Sequence, residues 1–365
     1  MATIVDSQTV DKSVWKHARY DYFRFVEMQG GNEIGELAGI TGGTITKNYL
    51  TALKYSGKIK YNYEIDRGWI DKDIRVYMYS VPKSNQDIIV KTLLGTFRTT
   101  TPKVTLGQGT SSYQVVMYSM LIKLQNQITR QTLTVPSGTN VVDYVANLCD
   151  LSGLPVRKVD SDYVLSDNKT WDSGVSYIDI CNDLLDMANY NSVGIDRYGN
   201  AVLTPYADPA SKAPVYVFSD DDEGIVMPDI DVEWDVFDTP NVVLVKASDA
   251  DGEMNVTVVN DDPANPFSTV NRGMEIPYVL EVDYLDTEEN LIAKGRRQLS
   301  EYAQSVEAYL MEHLFVDIES GDTVELDFTS LGVKQIATMH SMDITLKPGA
   351  KTKSRIRWFK PAVII

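Results

Sequence analysis

The sequence predicts an α+β fold dominated by β structure and divided into several domains: strand-rich ends that read as β-barrels or sandwiches, a small inserted α/β domain, and one long helix before the C-terminal β domain. Three observations carry this. A length of 365 residues is more than one hydrophobic core usually serves. Most of the chain alternates apolar and polar residues in short runs rich in Tyr, Ile, Val and Thr, broken by Gly, Pro and Asp. A helical period replaces that alternation only around 141–188 and 287–303. Hydrophobic residues at 43% and charged residues at 23% suit a folded chain.

In chain order, residues 1–135 form the first β domain. "TITKNYLTALKYSG", "KIKYNYEI" and "RVYMYSV", between Thr44 and Ser80, read as strands. The stretch "GITGGTITKNYLTALKYSGKIKY" also has the outline of a helix-turn-helix, with a recognition helix from Thr44 to Leu53. Gly42 and Gly43 would weaken the start of such a helix, and Thr, Ile and Tyr favour strands. The hairpin reading is preferred, with "YSGK" as its turn and Lys47, Lys54, Lys58 and Lys60 facing solvent. A "GTF" strand, a loop containing "GQGTSS" and a strand from Tyr113 to about Leu124 follow.

Residues 136–212 form the α/β domain. Val141, Tyr144, Val145 and Leu148 recur at helical spacing, with Ser or Thr before them and Gly153 after. A second helix begins with Ser176 as cap and Asp179 three residues on, and Ile178, Cys181, Leu185 and Ala188 stripe one face. "YVL" at 163 reads as a short strand, and "GIDRYGNAVLTPY" as a hairpin turned at Tyr198, Gly199 and Asn200. Cys149 and Cys181 lie in apolar helices without basic neighbours, so they read as buried free thiols rather than redox or metal groups.

Residues 213–285 form a further β domain. Its "DADG" begins like a calcium loop, but Ala247 and Val258 would occupy the first and twelfth positions, where carboxylates are needed. An Asp251-Gly252 hairpin turn accounts for the same letters. Residues 286–365 open with a helix from about Thr287 to Ala303, capped by Asp286 or Thr287, with Leu291, Leu299 and Tyr302 toward a core and "KGRR" on its solvent face. Strands follow in "LFVDIESGDTVELDF", "QIATMHSMDITLK" and "SRIRWF", with turns at "SGD" and "KPGAK".

Chemistry is hard to place. There is no Walker loop and no G-x-G-x-x-G after a strand. His17, His313 and His340 are isolated from one another, and His340, Ser341 and Asp343 alternate faces of one strand, which no triad allows. No catalytic, cofactor-binding or metal-ligating residue is assigned, and no enzyme activity is expected. The net charge of −17 opposes a general affinity for nucleic acid. No run of about 18 apolar residues could span a bilayer, and the N-terminal segment lacks a signal peptide's apolar core, which points to assembly in a cytoplasm. Twenty-one tyrosines suit large protein contacts.

Several segments resemble one family, the tail hub proteins of tailed phages and related contractile machines, also called baseplate hub or tail-associated proteins. "FDTPNVVLVKASDADGEMNVTVVNDDPANPFSTVNRG", then the helix "EENLIAKGRRQLSEYAQSVEAYL", then "VDIESGDTVELDF" follow the family's order. Upstream, "GWIDKDIRVYMYS" and "LLGTF" resemble its first barrel, and "WDSGVSYIDICNDLLDMANYNSVGIDRYGNAVLTPY" its inserted domain. The resemblance runs from about Gly35 to the end. It implies a homotrimer whose paired barrels match a sixfold tail tube to a threefold tip, located in the distal tail of the virion. It also implies partners in the tail tube or distal tail protein, the tape measure protein and a tip or spike protein, with DNA passing through without specific binding. The end at "RWFKPAVII" argues against a cell-wall hydrolase extension. Three alternatives stand beside it: a receptor- or carbohydrate-binding tail tip protein using Trp15, Trp69 and Trp171, a glycoside hydrolase with a carboxylate pair, and a DNA-binding regulator.

Overall fold

The computed structural model describes residues 2–62, 71–106, 111–208, 211–222, 224–234, 239–248, 252–282, 284, 286–305 and 307–358. Strands dominate, and fourteen of them join in one sheet. At its centre Ile40–Asn48 pairs on one side with Tyr55–Tyr61 and on the other with Val333–Thr345. From Tyr55–Tyr61 the ladder continues through Ser111–Ser119, Ile88–Leu106, Asp73–Pro82, Arg19–Gln29 and Asn32–Glu36. From Val333–Thr345 it continues through Thr352–Trp358, Glu307–His313 and Val226–Trp234. The N-terminal and C-terminal β regions are therefore one wall, welded where Thr44 to Asn48 meet Ser341 to Thr345.

Alternation along each strand sends one set of side chains to a shared core. Trp15, Phe25, Ile45, Ile59 and Phe97 from the first region lie in the same cluster as Phe218, Phe328, Met339 and Ile356 from the last. Trp15 meets Phe315 edge-on at 5.4 Å, and Arg19 donates to the carbonyls of both. Trp15 and Trp171 are buried and Trp171 donates to Asp183, so neither offers a flat face to a sugar; Trp69 lies outside the described residues, as do residues 107–110 of "GQGTSS".

The segment with two readings is a hairpin, but its turn is not "YSGK". The chain reverses at Tyr49 to Lys54, where Asn48 Oδ1 accepts from the Leu50 amide at 3.0 Å and Lys54 takes a left-handed φ of 58°. Gly57 sits mid-strand between Ile45 and Met117. A Cβ there would stand 2.4 Å from Met117 Cε and 2.7 Å from the Thr44 carbonyl oxygen, so this glycine permits close strand approach and makes no turn.

Three other boundaries differ from expectation. The strand before Leu124 ends at Ser119, and Ile122–Asn126 is a short helix. Asn140, not Ser or Thr, caps the Val141–Leu151 helix by accepting from the Asp143 amide. "YVL" contributes only a single bridge between Val164 and Asn140. The Tyr177–Met187 helix has the expected capping-box-like start, Ser176 Oγ donating to Asp179 Oδ2 at 2.6 Å while accepting from the Asp179 amide. Both helices bury their stripes, with Cys149 and Cys181 free and buried, and a three-stranded sheet of Val156–Lys158, Ala201–Leu203 and Gly194–Ile195 completes the unit.

A second small core lies beneath the Glu288–Ser305 helix, whose Leu291 and Leu299 cover Val243, Val245 and Val258 of the sheet Glu253–Val259, Val242–Ser248 and Pro277–Val282. The strands flanking "DADG" pair as a hairpin from Val242 with Val259 to Ser248 with Glu253; residues 249–251 lie outside the described residues. Thr287 caps the helix, its Oγ1 accepting from the Asn290 amide. No helix among the described residues is long and apolar enough to cross a membrane. Gly295 faces the sheet, where an added Cβ would lie 2.7 Å from Val258 Cγ2 and 3.1 Å from Val245 Cγ2. Alanine would raise helix propensity by about 1 kcal/mol, but pushing apart two stiff β-branched side chains costs about 1–3 kcal/mol. Gly295→Ala is therefore expected to lower stability, read as a reduced urea midpoint; an unchanged or raised midpoint would contradict this close packing.

Candidate functional site

The most heavily built polar site is a junction where three parts of the chain meet. Lys47 follows Ile45 by two residues and so shares its core-facing side, and it is 2% exposed. Its Nζ lies 2.6 Å from Glu319 Oε2 and 4.9 Å from the centre of the Tyr55 ring. Tyr55 donates its hydroxyl to the same Glu319 oxygen at 3.0 Å. On the other side of Glu319, Arg197 Nη2 reaches Oε1 at 2.7 Å and Asp317 Oδ1 at 3.0 Å. The Glu319 amide donates to Asp322 Oδ2 at 2.8 Å.

Each partner arrives from a different element. Lys47 and Tyr55 flank the first hairpin, Arg197 sits in the turn between Gly194–Ile195 and Ala201–Leu203, and Asp317 and Glu319 lie in the loop after Glu307–His313. The Arg197 turn is held against the wall from behind, because Thr96 Oγ1 donates to the Arg197 carbonyl at 2.9 Å. Gly199 at φ 90° lets the same turn approach Met120 and Thr96.

Electrostatics follow from burial and pairing. Burial works against the Arg197 charge, but Glu319 and Asp317 more than offset it, so its pKa stands above the ordinary guanidinium value. Burial, then the Glu319 charge, pushes the Tyr55 phenol well up, which keeps it a donor. Burial raises the Asp322 carboxyl. Lys54 points inward too: Nζ donates to the Tyr49 carbonyl at 2.6 Å and to Ser192 Oγ at 2.8 Å, and burial lowers its pKa to about 8. Lys58 and Lys60 are exposed, but Lys47 and Lys54 are not solvent-facing charges.

Beside the junction opens a cleft of about 560 Å³ lined by Tyr49, Lys54, Tyr206, Arg297, Glu301 and Asp322 among others. The "KGRR" helix closes one side of it. Lys294 pairs with Asp186 and donates to Tyr284, while Arg297 donates to the Tyr190 carbonyl at 2.9 Å and to Glu301 at 3.0 Å. These two residues dock the helix on the inserted unit instead of facing solvent; Arg296 is the exposed one.

The arrangement holds three parts of the chain together. His313 is fully buried, its Nδ1–H donating to the Leu314 carbonyl at 2.7 Å and its Nε2 accepting from Ser354 Oγ at 2.8 Å. His340 lies edge-on to Tyr49 at 5.8 Å, and His17 is exposed. Burial lowers both His313 and His340 to about 4, with Arg357 and Arg355 adding to the effect at His340. Among the described residues no three His, Cys, Asp or Glu side chains gather as metal ligands. Sequence reasoning missed Lys47, Arg197, Asp317 and Glu319. The available signal was the Ile45–Lys47 spacing, which places a lysine on the buried side of a strand.

No family model and no curated protein matches the chain by sequence. Solved structures do match in fold. A tail protein from Neisseria meningitidis aligns with a TM-score of 0.68 at 14% identity, covering 92% of this chain and 96% of that one. The 43 kDa tail protein of prophage MuSo2 from Shewanella oneidensis gives 0.68 at 11% identity, covering 94% and 100%. A prophage tail protein from Listeria monocytogenes gives 0.58 at 12% identity, covering 92% and 94%. The chain has the fold of these tail proteins over nearly its whole length.

Two outcomes follow from this geometry. Arg197→Gln leaves Asp317 and Glu319 short of a cation, and breaking such a buried pair costs about 3–5 kcal/mol; a denaturation curve shifted by less than a third of that would show the junction is not buried in solution. The two histidines bind protons near pH 6.5 in the unfolded chain but only near 4 when folded. Stability is therefore whole above pH 6.5 and falls as pH drops toward 4, by about 3 kcal/mol per histidine. Unfolding free energy measured from pH 7 to 4 should have a shallower slope in His313→Gln than in the parent chain, and equal slopes would refute the assignment.

Proposed function

We propose that the chain is a structural tail hub protein of a phage or prophage particle. The observation that carries the reading is the welded fourteen-stranded wall, in which residues 44–48 and 341–345 pair edge to edge and join the two ends of the chain. A tube-forming subunit needs such a wall, because its strength must come from backbone ladders rather than from a flexible linker. The shared fold with tail proteins over more than nine-tenths of the chain supports it.

In this reading three copies form a ring at the distal end of the tail. The N-terminal region 1–135 and the C-terminal region 286–365 give each subunit two tube-facing units, so that three subunits meet a sixfold tube above and a threefold tip below. Residues 136–212 and the small three-stranded sheet within 213–285 decorate that ring. The partners are the tail tube or distal tail protein, the tape measure protein and a tip or spike protein. The hub closes the tube until infection and then lets DNA through, with no enzymatic step of its own. It is carried in the virion and assembled in the host bacterial cytoplasm. The net charge of −17 suits passage, since an acidic lumen repels the phosphate backbone and the genome slides without sticking.

Light scattering of the purified protein should give the mass of three chains, and class averages should show a threefold ring. A monodisperse monomer that never enters tail particles would overturn the hub reading, and particle density with a basic lumen would overturn the account of the charge.

A further inference from the structure

On the wall's face away from the core, Thr338 and Arg357 stand opposite one another on paired strands, and Arg355 shares that face two residues along. His340 occupies the register shift between Met339 and Ser341 and turns its ring toward Tyr49. His340 is 7% exposed and Thr338 2%. Four polar atoms on these two strands have no hydrogen-bond partner: Thr338 Oγ1, His340 Nδ1, Arg355 Nε and Arg357 Nε. Buried polar groups are almost always satisfied by protein or ordered water, so several such atoms on one face offer donors that a small acceptor could take up. Thr338 and Tyr49 also line the cleft beside the junction, which gives the recess a way in.

The charges select the ligand. Arg355 is shared with Glu233 at 2.8 Å, whereas among the described residues Arg357 forms no ion pair. His340 is neutral at pH 7, and burial and the like charge of Arg355 make the Arg357 charge costly as it stands. Glu301 and Arg297 face Tyr49 from the helix side and are paired with each other. On these two paired strands one uncompensated positive charge remains, that of Arg357. A monoanion cancels it, while a dianion would be left in excess next to Glu301.

We propose that this recess binds a single carboxylate, held by Arg357 with the Thr338 hydroxyl and the His340 Nδ1–H as further donors. The group is the same whether it comes from a small carboxylic acid or from an aspartate or glutamate side chain of an abutting protein. The inference rests on unpartnered atoms alone and stands or falls apart from the hub reading.

The three histidines allow a direct test on the full chain, because their ring Hε1 signals can be resolved by NMR and His313, with both nitrogens satisfied, serves as internal control. Acetate is expected to move the His340 signal saturably while His313 stays still. Arg357→Gln should weaken that response at least tenfold with the His313 signal retained. Arg357→Lys, which keeps the charge but loses the fork, should weaken it less and serves if the glutamine variant does not fold. A shift that is linear, or equal with chloride at the same ionic strength, would overturn the site, as would an undiminished response in both variants. Inorganic phosphate saturating below acetate would overturn the carboxylate assignment. The capped peptide Ala-Glu-Ala saturating below acetate would place the natural carboxylate on a protein, and equal saturation would place it on a small acid.

Discussion

The docking of the inserted unit against the two β regions depends on the pairing of Lys47 and Arg197 with Glu319 and Asp317. These residues are far apart in sequence and come from the first hairpin, the inserted unit and the last β region. Burying three of these charges and half-burying Glu319 is expensive, and an apolar junction of the same volume would be as stable or more so. What the charges add is intolerance of error. If the inserted unit docked a few ångströms away, Arg197 would leave Asp317 and Glu319 to share one lysine in a medium that screens poorly. The junction thus selects one arrangement of parts that hydrophobic contact alone would leave less sharply defined.

Close backbone approach serves the same end elsewhere. Gly43 lies where a Cβ would be 2.2 Å from the Lys58 carbonyl oxygen, and Gly57 faces Thr44 and Met117 nearly as tightly. Both sit in the hairpin that carries Lys47 and Tyr55 and whose outer strand welds the wall to residues 341–345. With side chains at these positions the strands would bow, and the lysine would no longer reach Glu319. The glycines that seemed to punctuate the segment are what let it be straight and central.

This explains how much could be read from the letters. Strand alternation, the capping box at Ser176 and the helix after Thr287 were legible because each depends on residues near in sequence. The turn of the first hairpin was not, since a glycine needed for packing across three strands looks the same as a glycine needed for a turn. "KGRR" misled for a related reason. Its periodicity identifies the helix, but whether Lys294 and Arg297 meet water or Asp186 depends on where a unit about a hundred residues upstream docks. The junction was least legible, because no local pattern says that Lys47 and Glu319 will meet.

The inward draw of cations also changes the outer field. Lys47, Lys54, Arg197, Lys294 and Arg297 are turned toward carbonyls or acids inside the molecule. Acids such as Asp150 and Asp162 remain exposed. Several of the 34 basic residues therefore contribute little to the long-range field, because their charge is cancelled at short distance. The potential felt by an approaching polyanion is set mainly by the exposed acids, so it is repulsive over most of the surface. Arg357, half-buried and without an ion pair among the described residues, is the cation for which the proposed carboxylate supplies a partner.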